Sequence, residues 1–240
     1  MEIKVTNYRA IGRILAIIII IIGIAEMFPW IYAEATDAGD VAFGFRVCAP
    51  TTILFGLCML FLIRSNKSRF GPREGYLVVA LCWIVASIVG SFPYIVSGNA
   101  ETYADAFFES TAGFTTTGCT ISPSTEICRP LVLWKAISHW LGGMGILVFV
   151  ISLLPALGIN GQIIARAETP GPVLQKTTVR MSDSAKALYI TYFSFTVAEF
   201  ILLMLSGKMP LYDGVVTTLG SISTGGLLVH PTGIAYYDSV

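Results

Sequence analysis

Charged residues leave long stretches of this chain untouched, and those stretches set its architecture. The first apolar run is Ile14 to Ala25, which Met27 to Ala33 prolongs past Glu26. Phe28, Pro29, Trp30 and Tyr32 at its far end match the aromatic belt where a helix leaves hydrocarbon, so the pattern predicts a span over about 13–33. Val47 to Ile63, with part of Val41–Phe45, predicts a second span, and Gly75 to Ala100 a third. Ala136 to Ala165 carries no formal charge and predicts a fourth; Ala187 to Gly207 predicts a fifth. Each run meets the requirement of roughly 20 residues for crossing hydrocarbon as a helix. The pattern is that of an all-α integral membrane chain.

Between the third and fourth runs lies a segment too short and too polar to cross. It contains Asp105 and runs through Thr111-Ala-Gly-Phe-Thr-Thr-Thr-Gly118. Lipid does not tolerate irregular backbone unless it is buried in protein or lines a water-filled cavity, so a Thr/Gly tract between two spans needs a reason. An offset of 108 positions (118 to 226) lays the stretch from Asp213 to Leu227 on it without a gap. Asp105 meets Asp213, Thr115 meets Ser223, Thr116 meets Thr224 and Gly118 meets Gly226. Repetition at a fixed offset is the mark of a duplicated structural unit. Each copy follows an apolar span, so the repeated unit is a span followed by a re-entrant loop.

Composition agrees. Of the 240 residues, 55% are hydrophobic and only 12% charged, whereas soluble domains carry about 25% charged residues. The formal net charge is zero, and no basic arm points to a nucleic-acid partner. The amino terminus shows no small-residue cleavage site after its apolar run, so the run reads as a retained span. Cys48, Cys58 and Cys82 fall inside apolar runs, where cysteine acts as a small hydrophobe; a bridge between Cys119 and Cys128 stays open. No Cys/His spacing resembles a metal site, and no cofactor is expected.

The Lys/Arg-rich segments are 1–13, 64–73 and 166–186. With alternating spans all three fall on one side, which the positive-inside rule makes the cytoplasm. Both Thr/Gly loops then lie outside. The segments divide the chain into two amino-terminal helices (1–70), a first span–loop–span unit (71–165), a cytoplasmic connection (166–186) and an incomplete second unit (187–240). Asp105 and Asp213 would sit in the first turns of two half-helices, where an acid is favourable, leaving the partial negative charge of each carboxyl end pointing into the membrane. Carbonyls of Thr116, Thr117 and Gly118, facing those of Thr224, Gly225 and Gly226, can line a narrow path and replace an ion's hydration shell. Glycine suits such a strand because its backbone angles exclude most side chains.

Three motifs, Thr-Ala-Gly-Phe-Thr-Thr-Thr-Gly (111–118), Ser-His-Trp-Leu-Gly-Gly-Met-Gly (138–145) and Ser-Thr-Gly-Gly (223–226), resemble the Trk/Ktr/HKT superfamily of potassium transporters. The two extra amino-terminal spans are similar to the Trk branch. The resemblance implies four span–loop–span units around one pore, of which this chain holds about one and a half, so it reads as the amino-terminal half of a longer subunit. It further implies potassium as the transported ion, a homodimer, a cytoplasmic nucleotide-binding regulatory subunit, and a multi-pass position in the plasma membrane with the amino terminus cytoplasmic. The metal-binding positions carried over are the backbone carbonyls of Thr116, Thr117, Gly118, Thr224, Gly225 and Gly226. The competing reading is a non-conducting scaffold or regulator that assembles with intact subunits and with lipid.

Several single residues keep two readings each. Glu109, inside the first half-helix, either binds an ion at the mouth or anchors the loop to backbone donors. Glu199, in the fifth span, either lines the path or holds a neighbouring helix. Ser138 and His139 are adjacent on a helix and point about 100° apart, which argues against a hydrolytic dyad, and no Gly-x-Ser-x-Gly elbow is present. No enzymatic chemistry is expected. His139 and Trp140 are placed at the outer interface, and Gly142, Gly143 and Gly145 at a close helix contact near the loops.

Overall fold

The computed structural model describes residues 7–63, 72–121, 128–145, 181–227, 229–230 and 232–237. The first six residues, the basic segments around 64–71 and 166–180, and the predicted remainder of the fourth span (146–165) lie outside the described residues. Among the described residues the chain is all helical. The elements are α1 (Tyr8–Ala35), α2 (Gly39–Leu62), α3 (Pro72–Val96), α4 (Tyr103–Phe114), α5 (Arg129–Gly143), α6 (Met181–Leu205), α7 (Leu211–Ile222) and a closing 3-10 turn, Gly233–Tyr237. Four of them, α1, α2, α3 and α6, are long and apolar enough to cross a membrane.

The apolar runs become helices because lipid leaves the backbone no partner but itself. Pro29, Pro50 and Pro93 sit inside α1, α2 and α3, a placement membrane helices tolerate because neighbours re-satisfy the freed backbone groups. α1 and α2 pack at short range: a Cβ built on Gly23 would come within 2.9 Å of the Ile53 backbone nitrogen, and one on Gly56 within 3.0 Å of the Ala16 carbonyl oxygen. Ile11, Ile14, Ile18 and Ile22 of α1, at helical spacing, meet Val78, Cys82, Ala86 and Val89 of α3 in one core. Phe114 and Trp134 enter the same core from α4 and α5. The Trp134 indole N–H donates to the Gly90 carbonyl at 3.0 Å, fixing α5 against α3.

α5 begins at Arg129, well before the predicted start of the fourth span at Ala136. The charge pattern had placed that boundary after Lys135, but the lysine is 1% exposed and ion-paired to Glu109. A charge with a buried counter-charge does not end a span. Near the carboxyl end of α1, Tyr32 stacks on Tyr212 of α7 with ring centroids 5.0 Å apart. The Tyr212 hydroxyl donates to the Arg129 carbonyl at 2.6 Å, and the Arg129 guanidinium lies 5.4 Å over the Tyr212 ring. α1, α5 and α7 are thereby joined at one level. α6, by contrast, leaves Leu188, Ile190, Phe193, Phe195, Leu202 and Leu205 exposed.

Candidate functional site

The two half-helices superimpose in the chain's own numbering. α4 and α7 each have 12 residues, and both their ends differ by the offset that relates the two loops. They stop in the same way. Thr116 N–H donates to Gly113 O at 3.1 Å and Thr117 N–H to Ala112 O at 3.1 Å; Thr224 N–H donates to Ser221 O at 2.8 Å and Gly225 N–H to Gly220 O at 2.9 Å. These pairs of bonds are the Schellman ending of a helix, which needs a left-handed residue just past the cap. That residue is commonly glycine, yet here it is Thr116 at φ 54° and Thr224 at φ 57°. A side chain in that region is strained by about 1–3 kcal/mol and persists where its surroundings over-determine it. The Thr115 hydroxyl donates to Thr111 O, and the Ser223 hydroxyl to the matched Leu219 O, each at 2.7 Å.

One residue after this ending, past Thr117 and Gly225, comes a second left-handed residue, Gly118 at φ 73° and Gly226 at φ 67°. Among the described residues, no hydrogen bond ends on the carbonyl oxygens of Thr116, Thr117, Thr224 or Gly225. The loops also meet: a Cβ on Gly118 would overlap the carbonyl oxygen of Gly225. α5 stands behind both. A Cβ on Gly142 would overlap the Phe114 carbonyl oxygen, and one on Gly143 would come within 2.9 Å of Ser223 Cα. The Gly-Gly pair therefore seats the ends of both half-helices on one turn of α5. His139 departs from its expected interfacial position. It is 0% exposed, and its ring lies so close to Gly225 that a Cβ there would approach Nδ1 to 2.5 Å. The apolar neighbourhood of the sequence motif concealed this, because contact with a glycine backbone leaves no mark on the local sequence; among the described residues neither ring nitrogen has a hydrogen-bond partner. Trp140 is bonded to α6, its indole donating to Thr196 Oγ1 at 3.1 Å.

The starts of the half-helices differ. Thr102 and Asp105 form a capping box on α4: Asp105 N–H donates to Thr102 Oγ1 at 3.2 Å, and Thr102 N–H to Asp105 Oδ2 at 3.1 Å. α7 starts on Pro210 without a side-chain cap. Its Asp213 is buried and accepts from the Tyr237 hydroxyl at 2.7 Å, with His230 Nε2 3.3 Å from the same oxygen. Burial, together with the Asp213 carboxylate, pushes the Tyr237 phenol above its ordinary pKa. Tyr237→Phe removes a hydrogen bond to a charged acceptor and should destabilise the folded protein by about 1.5–3 kcal/mol. Tyr236, exposed and stacked on His230 at 3.8 Å, should tolerate Phe within about 0.5 kcal/mol. Parallel denaturation of the two variants in detergent tests the difference.

Glu109 resolves to an anchor: its Oε1 accepts from Ile121 N–H at 2.6 Å and from the Thr120 hydroxyl at 2.7 Å. Glu199 is half-buried on α6. Cys119 and Cys128 are both free thiols. Among the described residues no cluster of His, Cys, Asp or Glu could hold a metal ion through side chains.

Helices long and apolar enough to cross a membrane, holding two matched short helices whose ends meet, suit a membrane transport protein. The family model for TrkH, described as a cation transport protein, matches residues 45–240. The Trk system potassium uptake protein TrkH of Vibrio parahaemolyticus is 34% identical over 238 residues, a match covering 97% of this chain and 48% of that protein. TrkH of Escherichia coli K12 is 33% identical over 236 residues, again covering 97% of this chain and 48% of the relative. The crystal structure of the Vibrio parahaemolyticus potassium transporter TrkH superimposes with a TM-score of 0.77 at 29% identity, covering 98% of this chain and 47% of that one. The chain belongs to the TrkH family, a family of transport proteins and not of enzymes. It spans about half the length of the curated relatives it matches.

Proposed function

We propose that this chain supplies two of the loops of a potassium-conducting pore and that potassium crosses the plasma membrane between them. The observation that carries the reading is the pair of matched loops, touching through Gly118 and Gly225, with the carbonyls of Thr116, Thr117, Thr224 and Gly225 free of protein hydrogen bonds among the described residues. Oxygen atoms so placed can replace the hydration shell of a dehydrated cation. The carboxyl ends of α4 and α7 add partial negative charge at the same place. Gly118 and Gly226 supply the left-handed turns that let the strands continue past the contact.

Two loops do not encircle an ion, so the pore is completed by further units of a longer subunit or of a second chain. The broad apolar face of α6 fits such a covering. A homodimer and a cytoplasmic nucleotide-binding regulatory subunit belong to this proposal through the family resemblance, and an amino terminus in the cytoplasm through the distribution of Lys and Arg. The test is growth and potassium uptake in cells lacking their own potassium uptake, with a full-length subunit whose amino-terminal half is this sequence. Uptake is expected from the full-length subunit and not from residues 1–240 alone. A full-length subunit that reaches the membrane and moves no potassium would overturn the reading in favour of a scaffold or regulator.

A further inference from the structure

α5 carries a lysine that is fully inside the protein. Lys135 is 1% exposed and Glu109 is 5% exposed, with Nζ and Oε2 2.5 Å apart. Desolvating two charges costs several kcal/mol, so a buried pair is weak evidence of stability by itself. Its other bonds show what it holds. Lys135 Nζ donates to Cys119 O at 2.9 Å, while Glu109 Oε1 takes the Thr120 hydroxyl and the Ile121 N–H. Three successive residues after Gly118 thus end on this one ion pair. On the other side of Gly118, the Schellman bonds of Thr116 and Thr117 fix the strand to α4. The strand between them is largely exposed, so these two sets of bonds, together with the contact of Gly118 with Gly225, define its path.

We propose that Lys135 and Glu109 are positioning residues that set the ion preference of the first loop, acting as a charge-balanced strut behind it. The second loop is built otherwise. The position matching Glu109 is Thr217, and the segment after Gly226 is tied instead through Asp213 to Tyr237 and His230. The first loop is therefore held by full charges and the second by a carboxylate with a phenol and an imidazole. Because the pair is neutral in sum, the cation path senses little of Lys135. Removing only the carboxylate exposes a passing cation to the ammonium; removing only the ammonium frees the Cys119 carbonyl and loosens the strand. The two losses have different signatures.

This inference rests on the proposed potassium conduction, and the experiment separates the two. Potassium and sodium uptake are measured in the full-length subunit, normalised to folded protein by gel filtration. If the unmodified subunit moves no potassium, the function fails and not merely the strut. Given uptake, Lys135→Met should lower the potassium-over-sodium preference by about tenfold, the scale of one lost hydrogen bond to a charged group, and Lys135→Arg should restore most of it. Glu109→Gln keeps an acceptor for Thr120 and Ile121 and should raise the KM for potassium by about tenfold with less change in preference. The double variant Glu109→Gln with Lys135→Met should recover the KM and keep the lowered preference. Should either single variant fail to fold, the double variant and Thr120→Val, a change at an exposed position, are read in the same way. A purely structural pair would lower the amount of folded subunit and leave KM and preference per folded subunit unchanged, and that result overturns the inference.

Discussion

Gly142→Ala in the full-length subunit is expected to abolish potassium uptake, lowering it at least tenfold per folded subunit. The methyl group would overlap the Phe114 carbonyl oxygen, and neither side of that contact can yield cheaply. Phe114 is the last residue of α4 and is itself 0% exposed, held in the core beside Trp134. Gly142 is one turn from His139 and next to Gly143, which seats the second loop. Overpacking a rigid site costs about 1–3 kcal/mol, and here the strain is relieved by parting α5 from α4, which displaces the carboxyl end of α4 that the proposed path runs past. Uptake measured alongside membrane abundance checks this; a variant with undiminished uptake would mean that α5 does not set the position of the first loop.

Gly118→Ser should lower the preference for potassium over sodium by tenfold or more. Two costs act together at this position. A residue with a Cβ pays about 1–2 kcal/mol to adopt the left-handed conformation, and the Cβ would in addition overlap the Gly225 carbonyl oxygen. The expected outcome is a shifted second loop as well as a strained first one. Gly226 provides the internal comparison: it has φ 67° but, among the described residues, nothing within 4 Å of a built Cβ. Gly226→Ala should therefore show the conformational cost alone and the smaller change in selectivity. Equal effects of the two substitutions on ion selectivity would count against a contact between the loops as the origin of the preference.

The sequence pattern carried most of the architecture because lipid imposes simple rules on it. Runs without charge became α1, α2, α3 and α6, and the offset between Gly118 and Gly226 reappeared as two half-helices of equal length. The start of α5 was misplaced because a charge count along the chain cannot register that Lys135 meets Glu109 across space. His139 was misplaced for a related reason: it packs against the Gly225 backbone, a contact that leaves no signal in the local sequence. The Gly142-Gly143 pair could be read as a close contact, but which loop each glycine touches depends on how α5 lies between α4 and α7. The clamp through Asp213 and Tyr237 joins positions whose relation no local pattern expresses.

The likeness of the two re-entrant segments is written in torsion angles more than in letters. A threonine with positive φ two places before a glycine with positive φ recurs in both, while the segment after each glycine is braced differently, by Lys135 and Glu109 in the first copy and by Asp213 with Tyr237 and His230 in the second. Alignments scored by residue identity will therefore miss diverged copies of this unit, and a geometric template of one short helix with two left-handed positions after it should detect them. Peptide groups are common to every residue, so selection on the braces can proceed separately in each copy without redrawing the path between them.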